Sequence, residues 1–159
     1  MRQVLKGMLQ DTLLIAFFFA VFVTVAEAKA LLLAKKEPAL AAELQVFLDG
    51  MADRGCPHNK DYAAQLIGLR GVASDDLEQD VIGLCTVDFL HNRFISIDSS
   101  LKGMYKKTVV AHEALHCLWG ISWHDEEDAT SIMYFALGSF ENEEQIYKSA
   151  LKAAGCPQK

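Results

Sequence analysis

The sequence predicts an α+β domain in which helices pack on a short mixed sheet. Two kinds of pattern lead to this expectation. Apolar residues recur every three or four positions in three segments, and three shorter stretches between turn residues have the length and pattern of strands. In chain order we expect a helix at 37–53, strands at 64–72, 81–87 and 93–98, and helices at 108–119 and 141–154.

The first helix is expected to begin at Pro38, because proline suits a first helical turn, where its missing N–H loses no partner. Gly55 should end it. Residues 58–62 are expected to form a loop, and the strand at 64–72 is interrupted by Gly68. The apolar stripe of the first helix, expected in the core, consists of Leu40, Leu44, Phe47, Leu48 and Met51.

The helix at 108–119 contains neither glycine nor proline, and Gly120 should end it with a positive φ. Residues four apart on a helix lie on one face, so His112 and His116 can direct two imidazoles at one point. Glu113 lies at the edge of that face. This arrangement suits a zinc ion with an adjacent carboxylate base. The helix also carries an apolar stripe away from the histidines, formed by Ala111, Leu115 and Leu118.

Beyond the glycine lie a third histidine and a Ser-Ile-Met-Tyr turn at 131–134. The stretch from 93 to 134 resembles the metzincin zinc peptidases, and among them the matrixin-like branch. The residues that carry the resemblance are His112, Glu113, His116, Gly120, His124 and Met133. The resemblance implies a small metzincin-like catalytic domain.

The family resemblance also implies roles for single residues. His112, His116 and His124 would bind Zn²⁺, and Met133 would lie beneath the metal. The implied activity is that of a zinc-dependent endopeptidase that hydrolyses peptide bonds through a zinc-bound water activated by Glu113. The substrate would be a peptide or protein, bound as an extended strand beside an edge strand within 81–98.

The spacing of the motif departs from the usual family pattern. Metzincins read HExxHxxGxxH, whereas this chain reads HExxHxxxGxxxH, with one more residue on each side of Gly120. A longer final helical turn and a wider loop can absorb the extra residues. The third ligand is expected to be His124, with the carboxylates of Asp125 and Asp128 as alternatives.

Two other functional hypotheses are compatible with parts of the same motif. In a gluzincin-type peptidase the third ligand would be a glutamate of the last helix, such as Glu141, Glu143 or Glu144. The chain could instead be an exported, non-catalytic zinc-binding or interaction protein, in which a closed site would make Glu113 dispensable. Substitution of Glu113 separates these classes.

The N-terminal residues have the parts of a secretory signal peptide. Arg2 and Lys6 precede an uncharged run of 15 residues at 12–26, and Ala26-Glu27-Ala28 offers a cleavage site. The run is shorter than the roughly 20 residues of a membrane-spanning helix. We therefore expect residues 1–28 to be a signal peptide and residues 29–159 to form a secreted or periplasmic domain. An uncleaved membrane anchor at 12–26 is the alternative.

The net charge and the number of cysteines indicate which binding partners and which cellular compartment are compatible with the sequence. The formal net charge is -6, which argues against a nucleic-acid partner. The four cysteines, an even number in an exported chain, are compatible with two disulfides in any of three pairings. A buried free thiol at Cys117 is one alternative, and a cysteine-rich zinc site, which the lack of any C-x₂-C pair disfavours, is another. The cysteines are Cys56, Cys85, Cys117 and Cys156.

Overall fold

A computed structural model describes residues 37–77, 81–134 and 140–157 of the chain. The expected signal peptide and the alternative anchor lie outside these ranges. None of the helices within the ranges is long and apolar enough to cross a membrane. The regular elements are α1 (Pro38–Asp53), α2 (Lys60–Gln65), β1 (Leu66–Val72), β2 (Gly83–Val87), β3 (Arg93–Asp98), α3 (Gly103–Ala114) and α4 (Glu143–Ala153). A short 3-10 turn at Ser74–Asp76 and a π-helical turn at Leu115–Trp119 complete the order.

The sheet has three strands in the order β1-β3-β2 and is mixed. β3 pairs in parallel with β1 and antiparallel with β2. Its residues Ile95 and Ile97 are buried against the helices. The expected α+β class, with helices on a short mixed sheet, is confirmed. Because β2 is the last strand of this order, one of its sides has no strand neighbour within the described ranges.

Helix α1 agrees closely with the sequence expectation. It begins at Pro38, and Gly55 follows it with a φ of 81°. All five residues of its expected stripe are buried. The stripe packs on the same core as α3, so periodicity alone located this face correctly.

Two expected boundaries on the N-terminal side of the sheet are wrong. Residues 58–62 are not all loop, because α2 starts at Lys60. The side chain of Asn59 caps α2 by accepting hydrogen bonds from the backbone N–H groups of Asp61 and Tyr62. The first strand therefore starts at Leu66, and its pairing with β3 is irregular at the expected interruption near Gly68.

Helix α3 is the central helix of the described domain. It contacts α1, α4 and the sheet, and every residue from Thr108 to Ala114 is buried. It begins at Gly103, earlier than the expected Thr108. The expected apolar stripe of Ala111, Leu115 and Leu118 is fully buried. The last helix is slightly shorter than expected, because Asn142 caps α4 through a hydrogen bond from the N–H of Gln145.

All four cysteines are paired. One disulfide joins Cys56, which follows α1, to Cys156, which follows α4. The other joins Cys85 of β2 to Cys117 of the π-helical turn. Two disulfides were expected, and the alternative of a free thiol at Cys117 is wrong. The second disulfide ties the end strand of the sheet to the helix that carries the histidine pair.

Candidate metal centre

Three histidines meet at the end of α3. The Nε2 atom of His116 lies 3.1 Å from the Nε2 atom of His112 and 3.1 Å from the Nε2 atom of His124. The three ligand atoms all lie within 4.8 Å of one another. His112 is buried, His116 is half-buried and His124 is exposed, so the cluster opens to solvent on the side of His124. The structure thus brings the three expected ligands together.

Backbone carbonyls fix the orientation of the first two rings. The Nδ1–H of His112 donates to the carbonyl oxygen of Ile132 at 2.6 Å. The Nδ1–H of His116 donates to the carbonyl oxygen of Ile121. A carbonyl oxygen can only accept, so the proton of each neutral ring is on Nδ1 and the lone pair is on Nε2. Ligand histidines in metal sites are commonly held by such contacts.

Burial keeps these two rings neutral near pH 7. It lowers the pKa of His112 from its usual value of 6.5 to about 4, and it also lowers the pKa of His116. The charges of neighbouring histidines lower both values further. Two neutral rings whose Nε2 lone pairs face each other at 3.1 Å cannot share a hydrogen bond. A cation between them removes this conflict.

The distances also suit a small tetrahedral ion. Nitrogens that each lie about 2.05 Å from a tetrahedral zinc are about 3.3 Å apart. Two of the nitrogen pairs here are separated by 3.1 Å, close to that value. Neutral imidazole is also a preferred ligand of zinc, although copper, iron and nickel accept it too. The three histidines can therefore hold a metal ion.

The π-helical turn explains how the longer motif keeps its ligands together. Hydrogen bonds in a π-helix span five residues, so such a turn accommodates one residue more than an α-helical turn. Leu115–Trp119 adopts this form directly after α3, and Gly120 ends it with a φ of 73°. The structure therefore has a wider final turn before Gly120, the kind of turn that the sequence predicted there.

The turn at 131–134 is hydrogen-bonded to residues on both sides of the histidine cluster in the sequence. Its residue Ile132 supplies the carbonyl that holds His112, and the Ile132 N–H donates to Ser149 Oγ of α4 at 2.7 Å. Met133 is fully buried, and its carbonyl accepts from the N–H of Asp125 at 2.8 Å. The turn therefore links α4, His112 and the segment that carries His124.

The alternative carboxylate ligands have other contacts. Asp125 Oδ1 accepts hydrogen bonds from the N–H groups of Glu127 and Asp128. The Asp128 carboxylate accepts from Thr130 and Lys152, and these contacts lower its pKa to about 2. Neither belongs to the group of potential ligands around His116.

The glutamates of the last helix also point to other partners. Glu143 pairs with Lys107, and Glu144 pairs with Arg54 at 2.7 Å. Within the described ranges, Glu141, Glu143 and Glu144 are not part of the histidine cluster. The geometry therefore favours His124 as the third ligand over a glutamate of α4.

Glu113 lies beside the cluster without joining it. Its Oε1 is 4.0 Å from the Nε2 of His112, and the residue is only 5% exposed. Burial raises the pKa of Glu113 to about 8, and a hydrogen bond from the backbone N–H of Cys85 opposes that rise. A cation held by the histidines would favour the ionised carboxylate. Glu113 therefore has the position expected of a base, close to the ligands and shielded from bulk water.

A cleft of about 600 Å³ opens over the cluster. Residues of β2 and of the loop at 120–124 line it. Glu113, His112, His116 and His124 line the cleft together with the β2 side chains Leu84 and Val87, which are partly exposed.

Two further residues of the cleft were not expected from the sequence. The ring of Tyr62 lies so close to Gly120 that a Cβ there would be 2.8 Å from it. The Arg93 guanidinium stacks on that ring at 3.7 Å, and its Nη1 donates to the carbonyl of Cys117. Together they hold the end of the π-helical turn. The only sequence signal was the glycine, which indicates a close approach but not its partner.

The other histidines of the described part lie outside the site. His91 is exposed in the turn between β2 and β3, and His58 packs edge-on against Trp119. Neither belongs to the group of potential ligands in the described part of the chain.

No family model, curated protein or solved structure matches the chain. The observations that bear on function are the three histidines, the buried carboxyl group beside them and the cleft above them.

Proposed function

We propose that the chain is a zinc-dependent endopeptidase of metzincin type, with His112, His116 and His124 as metal ligands and Glu113 as general base. One observation carries this proposal: three Nε2 atoms converge at the floor of a cleft with a buried carboxyl oxygen 4.0 Å from one of them. A ligand set, a base and access for a substrate are what metal-assisted hydrolysis requires.

The number of ligands favours a catalytic site over a structural one. Structural zinc sites have four protein ligands, whereas catalytic sites have three and leave one position open. The described residues supply three candidate ligands here, and the cluster opens toward the cleft. This observation weighs against the non-catalytic alternative.

The chain's own residues supply the remaining parts of the mechanism. A zinc ion in this site would polarise the substrate carbonyl and lower the pKa of a bound water toward about 7. Glu113 accepts the proton of the attacking water and passes it to the leaving nitrogen. The buried position of Glu113 excludes competing solvent, and the carbonyls of Ile132 and Ile121 keep the ligand rings in place.

The proposed substrate is a peptide or protein in extended form. β2 lines the cleft and has one side without a strand neighbour within the described ranges, so the backbone groups there that do not bond Glu113 can pair with an added strand. The net charge of -6 makes nucleic acid an unsuitable partner. The two disulfides suit the expected export to a secreted or periplasmic location.

Removal and return of the metal tests the proposed function. The purified protein should contain about one zinc per chain and cleave members of a broad peptide library. Treatment with a chelator should abolish cleavage, and about one equivalent of zinc should restore it. Zinc-loaded protein that cleaves no peptide in the library would favour the non-catalytic zinc-binding alternative.

A further inference from the structure

The carboxyl group of Glu113 lies between α3 and the end strand β2. A Cβ built on Gly83 would be 2.8 Å from Glu113 Oε1 and 2.9 Å from Glu113 Cγ. Two residues along the strand, the backbone N–H of Cys85 donates to the same carboxylate. β2 therefore affects Glu113 in two ways. The absence of a side chain at Gly83 leaves room for the carboxyl group, and the Cys85 N–H donates a hydrogen bond to it.

Gly83 is required for space rather than for backbone conformation. Its φ is not among the positive values found at other glycines of the chain, so alanine can adopt the same backbone. The added methyl group would instead meet the Glu113 carboxyl group and the Cγ1 of Val109, which would be 2.6 Å away. Val109 is fully buried in the core, whereas the carboxyl group is at the end of a flexible side chain. The Glu113 carboxyl group can give way by rotation of its own side chain, whereas relief of the contact with Val109 requires a shift of the backbone.

The affected oxygen is the one that faces the histidines. Oε1 is the atom of Glu113 that lies 4.0 Å from His112 Nε2, and it is also the oxygen that a Cβ at position 83 would approach. Displacement of this atom alters the distance between the base and the metal ligands. A misplacement of about 1 Å can cost about 10²-fold in rate.

Cys85 is fixed in two ways. It pairs with Ile95 of β3 in the sheet, and its disulfide to Cys117 ties it to the residue that follows His116. The N–H that contacts Glu113 is thereby linked to the helix that carries two of the ligands. The base and the ligands share one rigid framework.

We propose that Gly83 and Cys85 are positioning residues that hold the Glu113 carboxyl group at its distance from the three histidines. The inference rests on the proposed function, since Glu113 is the base of that reaction. It adds a role for β2 that is separate from substrate binding: the strand sets the position of the base.

Gly83→Ala tests this role, with Val109 as an internal control. We expect Gly83→Ala to keep its zinc and its KM within about threefold while kcat falls by about 10²-fold. Val109→Ala should lose some stability and keep kcat. The double variant Gly83→Ala/Val109→Ala removes the clash with Val109 but not the clash with Glu113, so kcat should stay low.

Recovery of kcat in the double variant would overturn the proposal, because Gly83 would then matter only for core packing. A higher KM with unchanged kcat would also overturn it, since it would place the effect on substrate binding. Unchanged kcat and KM in Gly83→Ala would do the same.

A second readout is independent of activity. In NMR spectra, Glu113→Ala should shift the Cys85 amide proton upfield, because the hydrogen bond to the carboxylate is lost, and Gly83→Ala should move it in the same direction. Val109→Ala should leave it in place. A Cys85 amide that does not respond to Glu113→Ala would overturn the inference even if wild-type hydrolysis is confirmed. The absence of wild-type hydrolysis, with these shifts present, would count against the proposed function alone.

Discussion

Glu113→Gln is expected to lower peptide hydrolysis by about 10²- to 10⁴-fold while the protein keeps its metal and its fold. Glutamine has nearly the same shape, and its amide oxygen can still accept the hydrogen bond from the Cys85 N–H. It cannot accept a proton from the attacking water. The measurements are kcat on a cleaved peptide, zinc content by elemental analysis, and the circular dichroism spectrum.

The matched control is Glu126→Gln, which makes the same change in charge on an exposed residue two positions after His124. It should keep kcat within about threefold of wild type, because surface charges away from the reacting atoms act weakly. Equal turnover by wild type and Glu113→Gln, with zinc present in both, would show that Glu113 is not the base.

His124→Ala is expected to weaken zinc binding by more than about 100-fold, since loss of residues that only support ligands already costs about 10- to 100-fold. His124 is exposed, so its removal should disturb the fold less than removal of His112. Affinity can be measured by competition with a chromogenic chelator. Peptide hydrolysis at limiting zinc should fall in parallel.

Asp125→Asn is the control that tests the alternative ligand. Asparagine keeps an oxygen that can accept from the N–H groups of Glu127 and Asp128, but it lacks the carboxylate charge. Zinc affinity within about tenfold of wild type is expected for this variant. If Asp125→Asn loses zinc and His124→Ala keeps it, the assignment of the third ligand is wrong.

Those features of the site that depend only on the geometry of one helix could be predicted from the sequence. Helical geometry places His112 and His116 on one face, and the glycine requirement of a left-handed residue identifies Gly120 as the helix end. The buried stripe of α1 follows from the same periodicity. The presence of His124 beside these two histidines was also expected, although the sequence left Asp125 and Asp128 as alternative ligands.

The parts that depend on contacts across the fold could not be predicted from local patterns. Helix α2 is only six residues long, and it depends on the Asn59 cap and on packing of Tyr62 against Gly120. An isolated helix of this length is not stable, so propensity gives no signal. The disulfide pairing likewise depends on which elements become neighbours.

Gly83 shows the same limit at a single residue. In the sequence it lies within an expected strand, where glycine commonly indicates a bulge or a close approach. Only the fold reveals that the approaching group is the carboxyl of Glu113. The requirement for glycine at this position comes from a residue 30 positions away in the chain.

The central claim is that three histidines hold one zinc ion and leave a position open. X-ray absorption spectroscopy at the zinc edge, on protein loaded with one equivalent of zinc, tests it most directly. We predict three imidazole nitrogens at about 2.0–2.1 Å and one further oxygen from solvent. We also predict no sulfur ligand, because all four cysteines are paired in disulfides. A zinc–sulfur distance of about 2.3 Å, or fewer than three imidazole ligands, would contradict the account.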